Sequence, residues 1–163
     1  MLKQEKTKEQ DFAKLVSMQM DMEKKLTVQE RFIKEFQLLA QNEDEPSSML
    51  DLFSCPAAIF KRGGVLYRAN RTLIENTDLP ESEVLRGSFN FLGRITDENF
   101  AMLEAAEGVF YGKRALLSKL SCPLELFCKS WCFSVHDNYQ SALFFPLPDR
   151  EGNIPFGVVM LMK

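Results

Sequence analysis

The sequence has no apolar run long enough to cross a membrane. Its most apolar stretch, residues 156–162, is far shorter than the ~20 residues that a spanning helix needs. Residues 1–9 are charged and lack the apolar core of a secretory signal. An excess of basic residues is also absent, because 20 Lys and Arg face 23 Asp and Glu and leave a net charge of −3. These absences predict a cytoplasmic protein that contacts neither a membrane nor nucleic acid directly.

Residues that carry catalysis are scarce. The sequence has one histidine, His136, and no Ser or Cys stands in a known catalytic spacing from it. It has no G-x-x-x-x-G-K-[ST] phosphate loop. Its carboxylates fall mostly in the N-terminal segment or in turns, where a solvated surface is the ordinary interpretation. We therefore expect a protein that is not an enzyme.

The four cysteines, Cys55, Cys122, Cys128 and Cys132, are expected to be reduced thiols. The last three form a C-x5-C-x3-C-x3-H pattern with His136. In a helix, residues 128, 132 and 136 would stack one turn apart and could converge on zinc. In a strand, neighbouring members lie ~13 Å apart, whereas a zinc ligand lies within about 2.3 Å of the metal. The Phe, Trp and Val content favours the strand and argues against zinc.

A long helix is predicted at the N-terminus, because there is no glycine or proline between Glu9 and Gln41 and good helix formers dominate. A heptad-like seam predicts a single helix of roughly 50 Å. Because such a helix would overhang a small domain, we expect its stripe to pair with a second copy of the chain. The alternative is a helix folded back on its own domain. The predicted homodimer interface consists of Phe12, Leu15, Gln19, Met22, Leu26, Gln29, Ile33 and Phe36.

The chain is predicted to divide after this helix. Residues 42–48, NEDEPSS, are acidic and contain a proline, which is typical of a helix end followed by a linker. The predicted organisation is a dimerising or signalling helix over residues 1–41, a linker over 42–48 and a domain over 49–163.

The domain has strand patterns at both ends and helix patterns between them. Two apolar segments flank the Gly63-Gly64 pair, which predicts a hairpin. Asn70 stands where it can cap the helix that follows. The predicted strands are residues 57–61, 65–69, 124–136, 140–147 and 155–162.

This order of elements resembles a PAS domain, and so do several short motifs. They are C-P-A-A-I-F at 55–60, V-L-Y-R-A-N at 65–70, E-V-L-R-G at 83–87 and P-L-P-D-R-E-G at 146–152. The resemblance covers residues 49–163. It implies an α+β fold, in which a five-stranded antiparallel sheet has short helices on one face and is preceded here by the long N-terminal α-helix.

The resemblance also implies a role. PAS modules sense a small ligand or cofactor, or dimerise, and they modulate a kinase, a cyclase or a transcription-regulating effector. The effector here would be a separate chain or another part of a longer protein. Flavin photosensors of the family have a reactive Cys that the run G-S-F-N-F-L-G at 87–93 lacks. Haem-binding relatives use an axial His on a helix, whereas His136 is predicted at a strand end. The cofactor stays unknown, and the sequence argues against flavin and haem.

We therefore expect a non-catalytic sensory or regulatory module, in which a ligand or partner shifts the packing of the sheet against its helices. The sequence leaves open a ligand-free scaffold that dimerises and binds another protein, and in that case the same aromatic residues fill the core. The predicted ligand-binding residues are Phe89, Phe91, Trp131, Phe133 and Phe145 for the apolar lining, and Tyr67, Asn90 and His136 for the polar contacts.

Overall fold

The structure, a computed structural model, describes residues 2–21, 26–42, 45–129 and 139–163. The chain folds as two compact units, Met1–Asp44 and Glu45–Lys163. The first contains two α-helices, and the second contains a β-sheet with short helices.

The N-terminal unit has two packed helices, α1 (Leu2–Asp21) and α2 (Leu26–Gln41), so the prediction of one continuous helix is wrong. The Lys14 Nζ lies 3.7 Å from the Glu35 Oε1, whereas these residues would be about 30 Å apart along one straight helix. The sequence did not indicate two helices, because residues 9–41 contain no glycine or proline. The apolar stripe predicted helix correctly but could not indicate that α2 packs on α1.

The second unit is built on a five-stranded antiparallel sheet. Its strands lie in the order β2-β1-β5-β4-β3. β5 is the central strand and pairs with β1 on one side and β4 on the other, and its pairing with β4 runs from Ser141↔Met162 to Leu147↔Phe156. The predicted five-stranded sheet of an α+β fold is therefore confirmed. The strands are β1 (Ala57–Phe60), β2 (Leu66–Ala69), β3 (Ala115–Leu117), β4 (Ser141–Leu147) and β5 (Phe156–Met162).

The third strand is the one that sequence reasoning placed wrongly. The strand predicted over residues 124–136 begins instead as a 3-10 helix, Pro123–Phe127, and the third strand of the sheet is Ala115–Leu117. Proline fixes φ near the helical value and has no N–H to lose at the first helical position, so Pro123 favours a helical turn. The rest of the predicted strand, residues 130–136, lies outside the described residues.

Short helices cover one face of the sheet. Asn70 caps α3, as predicted, because its side chain accepts a hydrogen bond from the Leu73 N–H over 2.9 Å. Gly87 ends α4 in the left-handed conformation, with φ of 68°, which costs glycine little. The α-helices of this unit are α3 (Arg71–Glu75), α4 (Glu81–Arg86) and α5 (Phe100–Gly108), and the 3-10 helices are Pro46–Leu52, Phe91–Arg94, Asp97–Asn99, Val109–Tyr111 and Pro123–Phe127.

Candidate functional site

Aromatic rings fill the space between the sheet and its helices. Phe60 of β1 makes edge contacts with Phe91, Phe110 and Phe144 at centroid distances of 5.2, 5.8 and 6.2 Å. Phe91 stacks on Phe127 at 5.0 Å. Large rings in edge and stacked contact stabilise a core beyond their burial alone. The place where the sequence predicted a ligand is therefore occupied by side chains in the described part of the domain.

Three of the predicted ligand-binding residues lie in one segment but have different surroundings. Phe91 is fully buried in the core, and Phe89 is partly buried against it. Asn90 is exposed, and its side-chain nitrogen donates to the Gly63 carbonyl over 3.0 Å while its oxygen accepts from the Leu92 N–H over 2.9 Å. Asn90 therefore links the Gly63-Gly64 turn by hydrogen bonds to the segment that follows α4.

Two further predicted residues lie on the opposite face of the sheet. Tyr67 follows the core residue Leu66 in β2, and Phe145 follows the core residue Phe144 in β4, so both side chains point away from the aromatic core. Tyr67 stacks on Phe156 at a centroid distance of 4.5 Å. The described residues of the predicted site thus do not converge on one pocket. Trp131, Phe133 and His136 lie outside the described residues.

The residues of the predicted dimer seam are largely buried within the single chain. Leu15, Gln29, Ile33 and Phe36 are buried, and Phe12 and Gln19 are partly buried. Leu26 begins α2, and Met22 lies outside the described residues. The four buried residues do not form an exposed seam in this conformation. Dimerisation through the helix stays a prediction.

A cavity of about 650 Å³ opens at the rim of the second unit, between the segment after Phe91 and the segment before Phe127. We call it the rim cavity. Most of the residues that line it are polar or charged. It is lined by Arg94, Thr96, Asp97, Glu98, Asn99, Ser121, Cys122, Glu125 and Leu126.

Local hydrogen bonds fix the first wall of the rim cavity. The Thr96 N–H donates to the Asn99 side-chain oxygen over 2.6 Å, and the Thr96 hydroxyl lies 3.3 Å from that oxygen. The Asn99 N–H donates in return to the Thr96 side chain, and this capping box starts the short helix Asp97–Asn99. Asp97 and Glu98 are therefore held in an ordered turn at the cavity mouth.

The second wall contains an unusual backbone conformation. Cys122 has φ of 47°, in the left-handed region that non-glycine residues rarely adopt. Its carbonyl accepts a hydrogen bond from the Glu125 N–H over 3.1 Å. At the other end of this segment, the Lys129 N–H donates to the Asp78 carboxylate over 2.6 Å, and the Lys129 ammonium pairs with Glu83. These contacts hold the wall against the helices.

The charges of the rim cavity are mixed. Asp97, Glu98 and Glu125 bring carboxylates, and Arg94 brings a guanidinium. In the described part of the chain, no group of three or more His, Cys, Asp or Glu side chains is arranged to hold a metal ion. The wall offers donors and acceptors to a polar ligand. Sequence reasoning missed this site, since its signal is a backbone bend at Cys122 that residue type does not indicate.

Comparisons with known proteins bear on the fold. No protein family model matches the chain, and no curated protein does. Within the described ranges, no helix has the length and apolar content that a membrane crossing needs. Among solved structures, the chain is similar to a sensory box sensor histidine kinase from Vibrio cholerae, with a TM-score of 0.50 and 14% identity over 82% of this chain and 96% of that one. Together with the strand order, this similarity shows that the chain has the fold of a sensory-box, or PAS-like, domain.

Proposed function

We propose that this chain is a non-catalytic sensory or regulatory module whose input is a small polar ligand in the rim cavity. The observation that carries the proposal is the combination of a PAS-like fold with an open polar cavity beside a filled core. The solved neighbour is named as a sensor histidine kinase. An effector of that general kind, a kinase, a cyclase or a transcription regulator, would receive the output.

The proposed mechanism is a shift between two packings. A ligand favours whichever conformation binds it more tightly, and it can shift the equilibrium only by that difference in affinity. A ligand in the rim cavity would contact both Asp97 on one wall and Glu125 on the other. Because Leu126 and Phe127 adjoin Glu125 and are buried in the core, a movement of that wall would reach the aromatic rings and the sheet.

The experiment uses the full chain purified under native conditions. Native mass spectrometry looks for a small molecule that co-purifies, and a metabolite library is screened for compounds that raise the melting temperature. The variant Ser121→Trp places a large side chain in the wall of the rim cavity at an exposed position. Its matched control is Ser82→Trp, an exposed position in the first turn of α4 that is not part of the rim-cavity wall.

Binding that is lost in Ser121→Trp and retained in Ser82→Trp supports the proposal. Binding that persists equally in both variants overturns the rim cavity as the input site. If no molecule co-purifies and no compound raises the melting temperature, the sensing role is overturned.

The second candidate is the ligand-free scaffold, and the aromatic core favours it. Phe60, Phe91 and Phe144 are completely buried, and the Phe60 ring contacts the rings of both Phe91 and Phe144. A domain whose interior is occupied by its own side chains has no need of a core ligand to be stable. A featureless native mass spectrum, together with specific binding of one effector protein, would favour this role over sensing.

A further inference from the structure

A second cavity of about 300 Å³ lies at the Gly63-Gly64 turn, beside the end of α5. We call it the Arg62 cleft. Arg62 lies on the turn, Glu107 and Phe110 come from the end of α5 and the helical turn that follows, and Leu92 and Tyr111 also line the cleft. It shares no lining residue with the rim cavity.

The guanidinium of Arg62 is held by two aromatic rings. Its central carbon lies 5.1 Å from the centroid of the Phe110 ring and 5.6 Å from that of the Tyr111 ring. These cation–π contacts leave the N–H groups that do not face the rings able to bind a carboxylate. The rings thus orient Arg62 before any ligand arrives.

An opposite charge lines the same cleft. Glu107 is exposed on α5 and contributes to the wall, as Arg62 does. Among the described residues, neither side chain forms an ion pair with the other or with any third group. Two opposite charges are therefore held apart across a small cleft, and each can bind a group of the other sign.

The turn that carries Arg62 is fixed in place. The Lys61 N–H donates to the Val65 carbonyl over 2.8 Å, and the Asn90 side chain donates to the Gly63 carbonyl over 3.0 Å. At Gly64, a Cβ would stand 2.6 Å from the Leu92 Cγ, so the turn packs closely on the cleft floor. The Arg62 cleft is consequently preorganised, which reduces the entropy lost when a ligand binds.

We propose that the Arg62 cleft binds a small zwitterion, an L-α-amino acid with an apolar side chain. Its carboxylate binds the Arg62 guanidinium, its ammonium group binds Glu107, and its side chain contacts Leu92 and Phe110. The cleft volume lies at the low end of small-molecule sites, which favours a ligand of this size. Because Arg62 binds the carboxylate and Glu107 binds the ammonium group, a ligand needs both charged groups to bind tightly.

Isothermal titration calorimetry on the full chain tests the ligand chemistry. The probes are L-leucine, L-methionine and L-phenylalanine, each compared with its N-acetyl derivative, which lacks the ammonium group, and with its amide, which lacks the carboxylate. At least one free amino acid is expected to bind, and both blocked forms at least tenfold more weakly, which corresponds to about 1.4 kcal/mol. The proposal is overturned if none of the three binds or if a blocked form binds as tightly as its parent.

Matched variants test the residues. Arg62→Gln and Glu107→Gln are each expected to weaken binding at least tenfold. Arg71→Gln, at an exposed position of α3, and Glu104→Gln, one turn earlier on α5, are the controls and should bind as the unchanged chain does. Ser121→Trp should also leave this binding unchanged, so failure of the rim cavity and failure of the Arg62 cleft give different results. Equal affinity in all variants would contradict the assignment of the two charges.

Discussion

The side-chain nitrogen of Asn70 donates a hydrogen bond to the backbone carbonyl of Cys55 over 2.8 Å. The same nitrogen donates to the Leu50 carbonyl over 3.1 Å, and the side-chain oxygen accepts from the Ala57 and Leu73 N–H groups at 3.0 and 2.9 Å. Asn70 is 1% exposed. One buried amide thus joins the 3-10 helix before β1, the start of β1 and the start of α3.

Asn70→Asp is expected to lower the free energy of unfolding by about 2–4 kcal/mol. The new side chain has the same shape, but it loses both donated hydrogen bonds and directs a negative charge at two carbonyl oxygens. Urea denaturation followed by circular dichroism measures the change. The control is Asn153→Asp, at an exposed position, which should change the stability by no more than about 0.5 kcal/mol. A similar loss in both variants would contradict the special role of Asn70.

Asn70 also shows what the sequence could and could not predict about the fold. The sequence could predict its capping role, because an Asn before a helical run accepts a local hydrogen bond, here from the Leu73 N–H. The sequence could not predict its hydrogen bonds to the Leu50 and Cys55 carbonyls, because they depend on where a distant segment of the chain packs. The hairpin at Gly63-Gly64 was predicted for the same local reason, and both glycines have positive φ.

The predictions that were wrong relied on local patterns that the packing of distant segments overrides. The Phe, Trp and Val content of residues 124–136 indicated a strand, but Leu124, Leu126 and Phe127 are all buried in a 3-10 helix. The candidate sites depend on long-range placement too. Neither the contact of Arg62 with Phe110 nor the presence of Thr96 and Ser121 in one cavity wall has a local sequence signal, because each brings together distant segments.

Gly157→Ala tests how closely β5 packs on the aromatic core. A Cβ at Gly157 would stand 2.6 Å from the Phe60 Cζ and 2.7 Å from the Val109 Cγ2. Overpacking of this kind costs about 1–3 kcal/mol, which exceeds the roughly 0.5–1 kcal/mol that Ala gains over Gly in a strand. We therefore expect a net fall in the melting temperature, measured by scanning calorimetry.

Two further variants show whether the contact with Phe60 causes the fall in the melting temperature. Gly93→Ala is the control, because nothing lies within 4 Å of a Cβ there, and it should leave the melting temperature unchanged or slightly raised. In the background Phe60→Leu, which removes the clashing ring edge, Gly157→Ala should cost less than it does alone. Strict additivity of the two changes would show that the predicted contact with Phe60 is not the cause.

Leu15→Ala tests whether the N-terminal stripe is packed within one chain. Leu15 is completely buried, so the loss of its side chain should cost about 2–5 kcal/mol. Because the burial is present in the single chain, the denaturation midpoint should not change when the protein concentration is raised about a hundredfold, whereas the midpoint of an obligate dimer would rise. Ala13→Ser, at an exposed position of α1, is the control. A midpoint that rises with concentration would support the dimer seam instead.

The titration of Tyr139 should change the free energy of unfolding as the pH rises in the alkaline range. Burial raises the pKa of the Tyr139 hydroxyl above its ordinary value of 10.0, and the electrostatic interaction with Cys55 raises it further. Between about pH 10 and the higher pKa of the folded state, the folded chain keeps a proton that the unfolded chain releases. The free energy of unfolding therefore falls as the pH rises through this range. The stability contributed by this group is fully present below pH 10 and is lost above it.

Tyr139→Phe should therefore flatten the fall of the unfolding free energy between about pH 9.5 and 11, measured by urea denaturation at each pH. Lysines titrate in the same range, so only the difference between the two proteins reports on Tyr139. Tyr111→Phe, at a side chain that is 74% exposed, is the matched control and should keep the unchanged slope. Cys55→Ala should flatten the slope less than Tyr139→Phe, since burial is the larger cause of the shift. If Tyr139→Phe and the unchanged chain lose stability in parallel, the hydroxyl of Tyr139 has the same pKa in the folded and unfolded states.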